Sequence, residues 1–232
     1  MNDATAPSRP LTLGVILYPG FELLDVFGPL EMFAAVGRDR LTLHMVAEHA
    51  GPVAAGTVAD GPIGPRVVAE YGFDDAPPLD LLLVPGGIGT FPELANEKLM
   101  AFLRDRSPRA RITASVCTGS ALLAKSGVLD GHRATSNKQV FSLAVAQSSA
   151  VEWVEAARWV DDGAVVTSSG VSAGMDMALA IIARLFGDEA AEAIAIGTEY
   201  TWHRNADVDP FIAHLNQMAA MAGTFANALA KS

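Results

Sequence analysis

Apolar residues in this chain follow two rhythms. Short, mostly apolar runs at 11–17, 41–47, 79–84 and 112–116 alternate with longer stretches in which apolar residues recur three or four positions apart. The first rhythm suits strands of a parallel sheet, which are covered on both faces, and the second suits helices packed against them. The spacing predicts helices over 22–36, from 92, and over 97–106, 118–126, 139–146, 175–186 and 189–197. Further short strands are expected at 133–135, 151–154, 157–160 and 165–167, with Asp161-Asp162-Gly163 as the hairpin turn between the last two. The segment 51–65, rich in Gly and Pro, reads as a turn-rich excursion holding a small hairpin. Strands alternating with helices imply an α/β fold with a mostly parallel sheet and helices on both faces.

Both ends depart from this rhythm. Residues 1–10 are polar, carry two prolines and lack the basic-then-apolar pattern of a signal peptide, so they are expected to form a flexible arm. From Phe211, apolar residues at Leu215, Met218, Ala222, Phe225 and Leu229 predict an amphipathic helix. The division expected is therefore an α/β domain over 11–200 and a helical extension over 201–232, packed on that domain or on a dimer partner.

Composition narrows the function. Half of the 232 residues are hydrophobic and 18% are charged, ample for one large core. The net charge of −10 repels phosphate backbones and anionic lipid, so neither nucleic acid nor a membrane is an expected partner. No apolar stretch approaches the ~20 residues of a membrane span. A single cysteine excludes an internal disulfide and fits a cytoplasmic protein. The five histidines show no metal-site spacing, and no metal or cofactor is expected.

That cysteine, Cys117, stands where the run 112–116 breaks into Cys117-Thr118-Gly119-Ser120. A strand-to-helix elbow pushes its apex side chain out of the sheet, and a helix N-terminus favours a thiolate. Small residues at Ser115 and Gly119 permit such a turn. Two other strand ends lead to unusual residues: Asp25 among apolar neighbours, and the Gly86-Gly87 pair. In open parallel sheets ligands bind beyond the carboxyl ends of the strands. A carboxyl in a dry pocket can carry protons near neutral pH, and glycine amides can hold developing negative charge. Taken singly, Asp25 reads as a solvated helix residue, the glycines as turn formers and Cys117 as an inert core thiol. Their convergence makes Cys117 a nucleophile, Asp25 a general acid/base, and the amides of Gly86, Gly87 and Thr118 charge donors. Ile88, Asn137 and Val171 stand where they can line the pocket.

Four segments in this order, Leu24-Asp25-Val26-Phe27-Gly28-Pro29, Val84-Pro85-Gly86-Gly87, Ser115-Val116-Cys117-Thr118-Gly119 and Ser169-Gly170-Val171-Ser172-Ala173-Gly174-Met175-Asp176, resemble the landmarks of the ThiJ/PfpI superfamily. The resemblance covers roughly 11–197 and implies a flavodoxin-like three-layer sandwich with a nucleophile elbow. Peptidase-like members have a histidine after the cysteine, where this chain has Thr118. The Cys-Thr-Gly form, with Asp25 on the first helix, is most similar to isocyanide hydratases and to ligand-binding domains of AraC-type regulators. The residues after 200 are too few for a following DNA-binding domain, so a full regulator is not expected. The segment Arg133-Ala134-Thr135-Ser136-Asn137-Lys138 departs from the hydratase pattern, and the substrate pocket is expected to differ with it.

The resemblance thus implies hydration of an isocyanide, a small uncharged electrophile, to an N-substituted formamide, with Cys117, Asp25 and Thr118 catalytic and a homodimer as the assembly. A glyoxalase-like reaction on small aldehydes and a redox or ligand sensor remain the alternatives.

Overall fold

The computed structural model describes residues 9–56 and 64–220. Ten strands and seven helices follow in the order β1 (Leu11–Ile16), α1 (Leu23–Ala34), β2 (Leu41–Val46), β3 (Gly51–Ala54), β4 (Arg66–Ala69), β5 (Leu81–Val84), α2 (Thr90–Glu93), α3 (Glu97–Arg106), β6 (Ile112–Ser115), α4 (Gly119–Lys125), β7 (Arg133–Ala134), α5 (Phe141–Val145), β8 (Glu152–Trp153), β9 (Trp159–Asp162), β10 (Val165–Ser168), α6 (Ala173–Phe186) and α7 (Asp188–Gly197). Six strands form one sheet in the order β2-β1-β5-β6-β10-β9. All its pairings are parallel except the last, β10 with β9. On one side α6 packs on α1 and α7; on the other α4 packs on α2, α3 and α5. This is the expected flavodoxin-like sandwich.

The sequence explains the order. The central strands β5, β6 and β10 are buried at every position, which a continuous run such as Leu81-Leu82-Leu83-Val84 tolerates and an alternating strand does not. α1 crosses the sheet with Pro29 inside it. Proline has no N–H to give the carbonyl four residues back, which here is that of Asp25. α3 begins at Asn96, whose side chain accepts from the N–H groups of Lys98 and Leu99 and caps the helix.

Several boundaries differ from expectation. The excursion after β2 is a hairpin, but its second strand, β4, starts where the Gly- and Pro-rich stretch ends. β9 lies two residues later than predicted. Asp161 and Asp162 are ladder residues opposite Val166 and Val165, and the turn is the two-residue Gly163-Ala164, with Gly163 at φ +77°. A two-residue turn of this kind needs a positive φ, which glycine supplies. In the tail, Ile212–His214 is a 3-10 turn and Asn216 has φ +58°, so no continuous helix runs from Phe211; residues 221–232 lie outside the described ones. Residues 1–8 of the expected arm also lie outside them, while Arg9 pairs with Asp80 on the surface. No helix among the described residues is long and apolar enough to cross a membrane.

Candidate active site

Strand β6 ends in the elbow. Cys117 has φ +58°, a left-handed conformation uncommon for a non-glycine residue and one that persists only when its surroundings hold it. They do. Its N–H donates to the carbonyls of Ser168 (3.2 Å) and Ser169 (3.1 Å), and its carbonyl accepts the hydroxyls of Ser120 (3.1 Å) and Ser136 (3.2 Å). The turn is also crowded. A Cβ on Gly119 would collide with the Val84 carbonyl, and one on Gly86 would lie 2.5 Å from the Thr118 nitrogen.

The thiol is buried, and its sulfur accepts a hydrogen bond from the Asn137 side-chain amide at 3.1 Å. The backbone N–H groups of Thr118 and Val171 also donate to it. Asp25 reaches the same spot from α1. Its carboxyl is 0% exposed; Oδ2 accepts the Gly86 N–H at 2.8 Å, and Oδ1 has no N–H or O–H donor among the described residues. The thiol lies beside that carboxyl, and each shifts the ionisation of the other.

The electrostatics follow from dryness. Burial pushes the Asp25 carboxyl up to about 7, with the nearby Glu22 charge adding to it, while the hydrogen bonds from Gly86 and Cys117 oppose it. Burial and the Asp25 charge push the Cys117 thiol well above its ordinary range, against the hydrogen bonds from Thr118, Asn137 and Val171. The helix N-terminus was expected to yield a thiolate; instead desolvation and a neighbouring carboxylate outweigh it. The pair therefore ionises first at Asp25, near neutral pH, with the thiol still protonated, and no cationic side chain among the described residues bonds to either member.

Thr118 is built into the wall. Its hydroxyl oxygen accepts the Gly87 N–H (3.1 Å) and meets Thr90 Oγ1 at 2.8 Å; Thr90 meets the Tyr18 hydroxyl at 3.1 Å, which donates to the Pro85 carbonyl at 2.6 Å. Because the one Tyr18 proton goes to Pro85, the chain runs one way, with Thr118 donating to Thr90 and Thr90 to Tyr18. The N–H groups of Gly86 and Gly87, expected to be free for developing charge, are thus already given to Asp25 and Thr118. Nothing local marked Tyr18 or Thr90 in the sequence, since they come from other strand ends and meet only in the fold.

Of the three expected lining residues, Asn137 and Val171 border a cavity of about 190 Å³, together with Phe211 of the tail, while Ile88 is half exposed and does not border it. A larger cavity, about 510 Å³, lies beyond the ends of β1 and β2, and neither of the two cavities is bordered by Cys117 or Asp25. Among the described residues no group of His, Cys, Asp and Glu is arranged to hold a metal ion.

Comparisons with known proteins give the chain its relatives. Residues 12–184 match the DJ-1/PfpI family. The chain is 33% identical over 190 residues to an isonitrile hydratase from Pseudomonas putida, covering 82% of this chain and 78% of that protein. It is 30% identical to the HTH-type transcriptional regulator GbdR from Pseudomonas aeruginosa, covering 81% of this chain but 50% of the regulator. Among solved structures, a THiJ/PfpI family protein from Pseudomonas syringae superposes with a TM-score of 0.74 at 28% identity, covering 96% of this chain and 90% of that one. DJ-1beta from Drosophila melanogaster shares the fold, with a TM-score of 0.70 at 21% identity, covering 83% of this chain and all of that one.

Proposed function

The chain belongs to the DJ-1/PfpI family, and from that premise we propose that it hydrates an isocyanide, R–N≡C, to the formamide R–NH–CHO. The observation that carries the reading is the buried Asp25–Cys117 pair, which without a cation holds one exchangeable proton between two acceptors near neutral pH. The similarity to an isonitrile hydratase supports it.

The chemistry needs such a pair. The terminal carbon of an isocyanide must gain a proton and then a nucleophile, and both must come from groups that do not waste the proton on water. In the one-proton state, the proton moves from the thiol to Asp25 and on to the carbon, while the sulfur attacks that carbon and gives the thioimidate R–N=CH–S–Cys117. The Asn137 amide and the N–H groups of Thr118 and Val171 stabilise the sulfur as it gains charge. Asp25, now a carboxylate, takes a proton from water as the hydroxide adds to the carbon, and passes it to nitrogen. Collapse of R–NH–CH(OH)–S–Cys117 returns the hydroxyl proton to Asp25, expels the sulfur and leaves R–NH–CHO. Atoms and charge balance, and the pair is restored. In this scheme Gly86 and Gly87 hold Asp25 and Thr118 in place, and Thr118 acts through its amide.

The test is to incubate purified protein with cyclohexyl isocyanide and follow N-cyclohexylformamide. Turnover that survives Cys117→Ala would sink the covalent route. A second reading is favoured by the likeness to regulators such as GbdR: a domain that binds a small ligand beside Cys117 without turning it over. Stoichiometric binding of isocyanide with no formamide would support that reading.

A further inference from the structure

The segment Pro85-Gly86-Gly87, which leaves β5 beside the elbow, is gripped at four points. The Gly86 N–H donates to Asp25 Oδ2 at 2.8 Å, the Gly86 carbonyl accepts the Glu22 N–H at 2.8 Å, and the Gly87 N–H donates to Thr118 Oγ1 at 3.1 Å. The fourth grip is on the Pro85 carbonyl, which takes the Tyr18 hydroxyl at 2.6 Å; among the described residues nothing else donates to it. The Pro85 carbonyl and the Gly86 N–H belong to one rigid peptide plane. That plane therefore has Tyr18 at its oxygen and Asp25 at its nitrogen, and a rotation that frees the first swings the second away from the carboxyl.

Tyr18 is buried just past the end of β1, and its proton has one direction. Its oxygen accepts from the buried Thr90, which in turn accepts from Thr118, so the proton of Tyr18 is left for Pro85. Burial pushes the phenol well above its ordinary range, against the hydrogen bond with Thr90, so it stays protonated and remains a donor through neutral pH. A phenylalanine would fill the same space; the hydroxyl adds the grip on Pro85.

We infer that Tyr18 is a positioning residue for Asp25: by anchoring the Pro85 carbonyl it aims the Gly86 N–H at the carboxyl, and Thr90 keeps its proton turned that way. Gly86 is the one backbone donor to Asp25, and its hydrogen bond opposes the rise that burial imposes on that carboxyl. The grip of Tyr18 thus sets the pH at which Asp25 gives up its proton. The inference rests on the hydratase reading only where turnover is measured; the titration of Asp25 needs no substrate.

The test is a carbon-13 NMR titration of the side-chain carboxyls, with the Asp25 signal identified by its loss in Asp25→Asn, in the parent, Tyr18→Phe, Thr90→Val and Tyr200→Phe proteins. Tyr200→Phe removes a hydroxyl that serves Asp176 and controls for general loosening. The parent midpoint is expected at about 7. It should rise by about 0.5–1 pH unit in Tyr18→Phe, the equivalent of one hydrogen bond, by less in Thr90→Val, and not at all in Tyr200→Phe. The pH profile of kcat/KM for cyclohexyl isocyanide should move with it. A Tyr18→Phe midpoint within about 0.2 unit of the parent overturns the assignment, and so does an equal rise in Tyr200→Phe. An unmoved midpoint in Thr90→Val alone strikes Thr90 from it. Melting curves check folding; if Tyr18→Phe fails to fold, the Thr90→Val midpoint decides in its place, an unmoved one overturning the assignment. If the midpoint moves while no isocyanide is hydrated, the hydratase reading fails and the role of Tyr18 stands; if isocyanide is hydrated with the midpoint unmoved, the reverse holds.

Discussion

Asp25 on α1 and Asp176 on α6 are both carboxylates with 0% exposure, on helices that pack against each other, yet the fold treats them in opposite ways. Asp176 is fully paired. Oδ2 accepts from Nε and Nη2 of Arg158, both at 2.7 Å, and Oδ1 accepts from the Tyr200 hydroxyl (3.0 Å) and the His203 N–H (2.8 Å). Asp25 has a single backbone donor and faces a thiol. Burial of a carboxylate is affordable when donors replace the lost water, and a buried carboxyl denied them keeps its proton instead. The first arrangement ties residues 200–206 to the domain, since Ala206 also accepts the Arg158 N–H at 2.7 Å. The second leaves a proton that can be used.

The largest expected effect breaks the paired side. Arg158→Met keeps the length of the side chain but strands the Asp176 charge, and is expected to cost about 3–5 kcal/mol of stability. Chemical denaturation would measure it, and a loss under about 1 kcal/mol would mean that the arginine is not the partner that makes Asp176 tolerable. Asp25→Asn should do the reverse. Isocyanide turnover is expected to fall by about 10²–10⁴, the usual share of a positioned acid/base, with no loss of stability at pH 8.

The pH dependence sharpens the same contrast. Asp25 is raised from 3.8 to about 7 in the folded protein, so folding favours its neutral form. Stability contributed by this group is therefore present in full below about pH 4, declines as pH rises, and is gone above about pH 7. The upper bound on that decline is on the order of 4 kcal/mol. The melting temperature of Asp25→Asn minus that of the parent should accordingly grow from pH 4 to pH 8, and a flat difference would refute the raised carboxyl. Activity runs the other way. The one-proton pair forms only as Asp25 ionises with the thiol still protonated, so kcat/KM is expected to rise through about pH 7. A profile that falls over this range would exclude the pair as the reacting form.

How much of this was legible beforehand depends on the range of the interaction. β5 was plain, because four consecutive apolar residues bounded by Pro85-Gly86-Gly87 fit little else. Cys117 was legible as an elbow because the small residues that the turn requires lie within two positions of it. Asp25 stood out only as a charge in apolar company. Asp176, between Met175 and Met177, carries the same sign as Asp25, whereas Arg158, Lys138 and Asp209 carry none, since a polar residue among mixed neighbours defaults to the surface and only the assembled fold shows its partner. Phe211 fits one turn of a helix stripe in the sequence; the left-handed Asn216 breaks that helix, and a backbone conformation of that kind leaves no periodic trace. The thiol's raised ionisation leaves no mark in the sequence for a related reason, because desolvation belongs to the whole pocket and the helix N-terminus to one turn.

The smallest effect concerns Asn137, which does two jobs with one amide. Its nitrogen donates to the Cys117 sulfur, and its oxygen accepts the N–H groups of Gln139 (2.9 Å) and Val140 (3.3 Å), shaping the turn that carries it. Asn137→Ala removes both roles, whereas Asn137→Asp keeps the accepting oxygen and removes the donor. A hydrogen bond of this kind contributes about 1 kcal/mol, so iodoacetamide alkylation of Cys117 is expected to slow about fivefold in the alanine variant. In the aspartate variant the added charge should slow it further, with the melting temperature retained. If instead the aspartate variant alkylates as fast as the parent, the amide nitrogen contributes nothing to the sulfur. The site would then rely on the backbone donors of Thr118 and Val171, which no side-chain substitution removes.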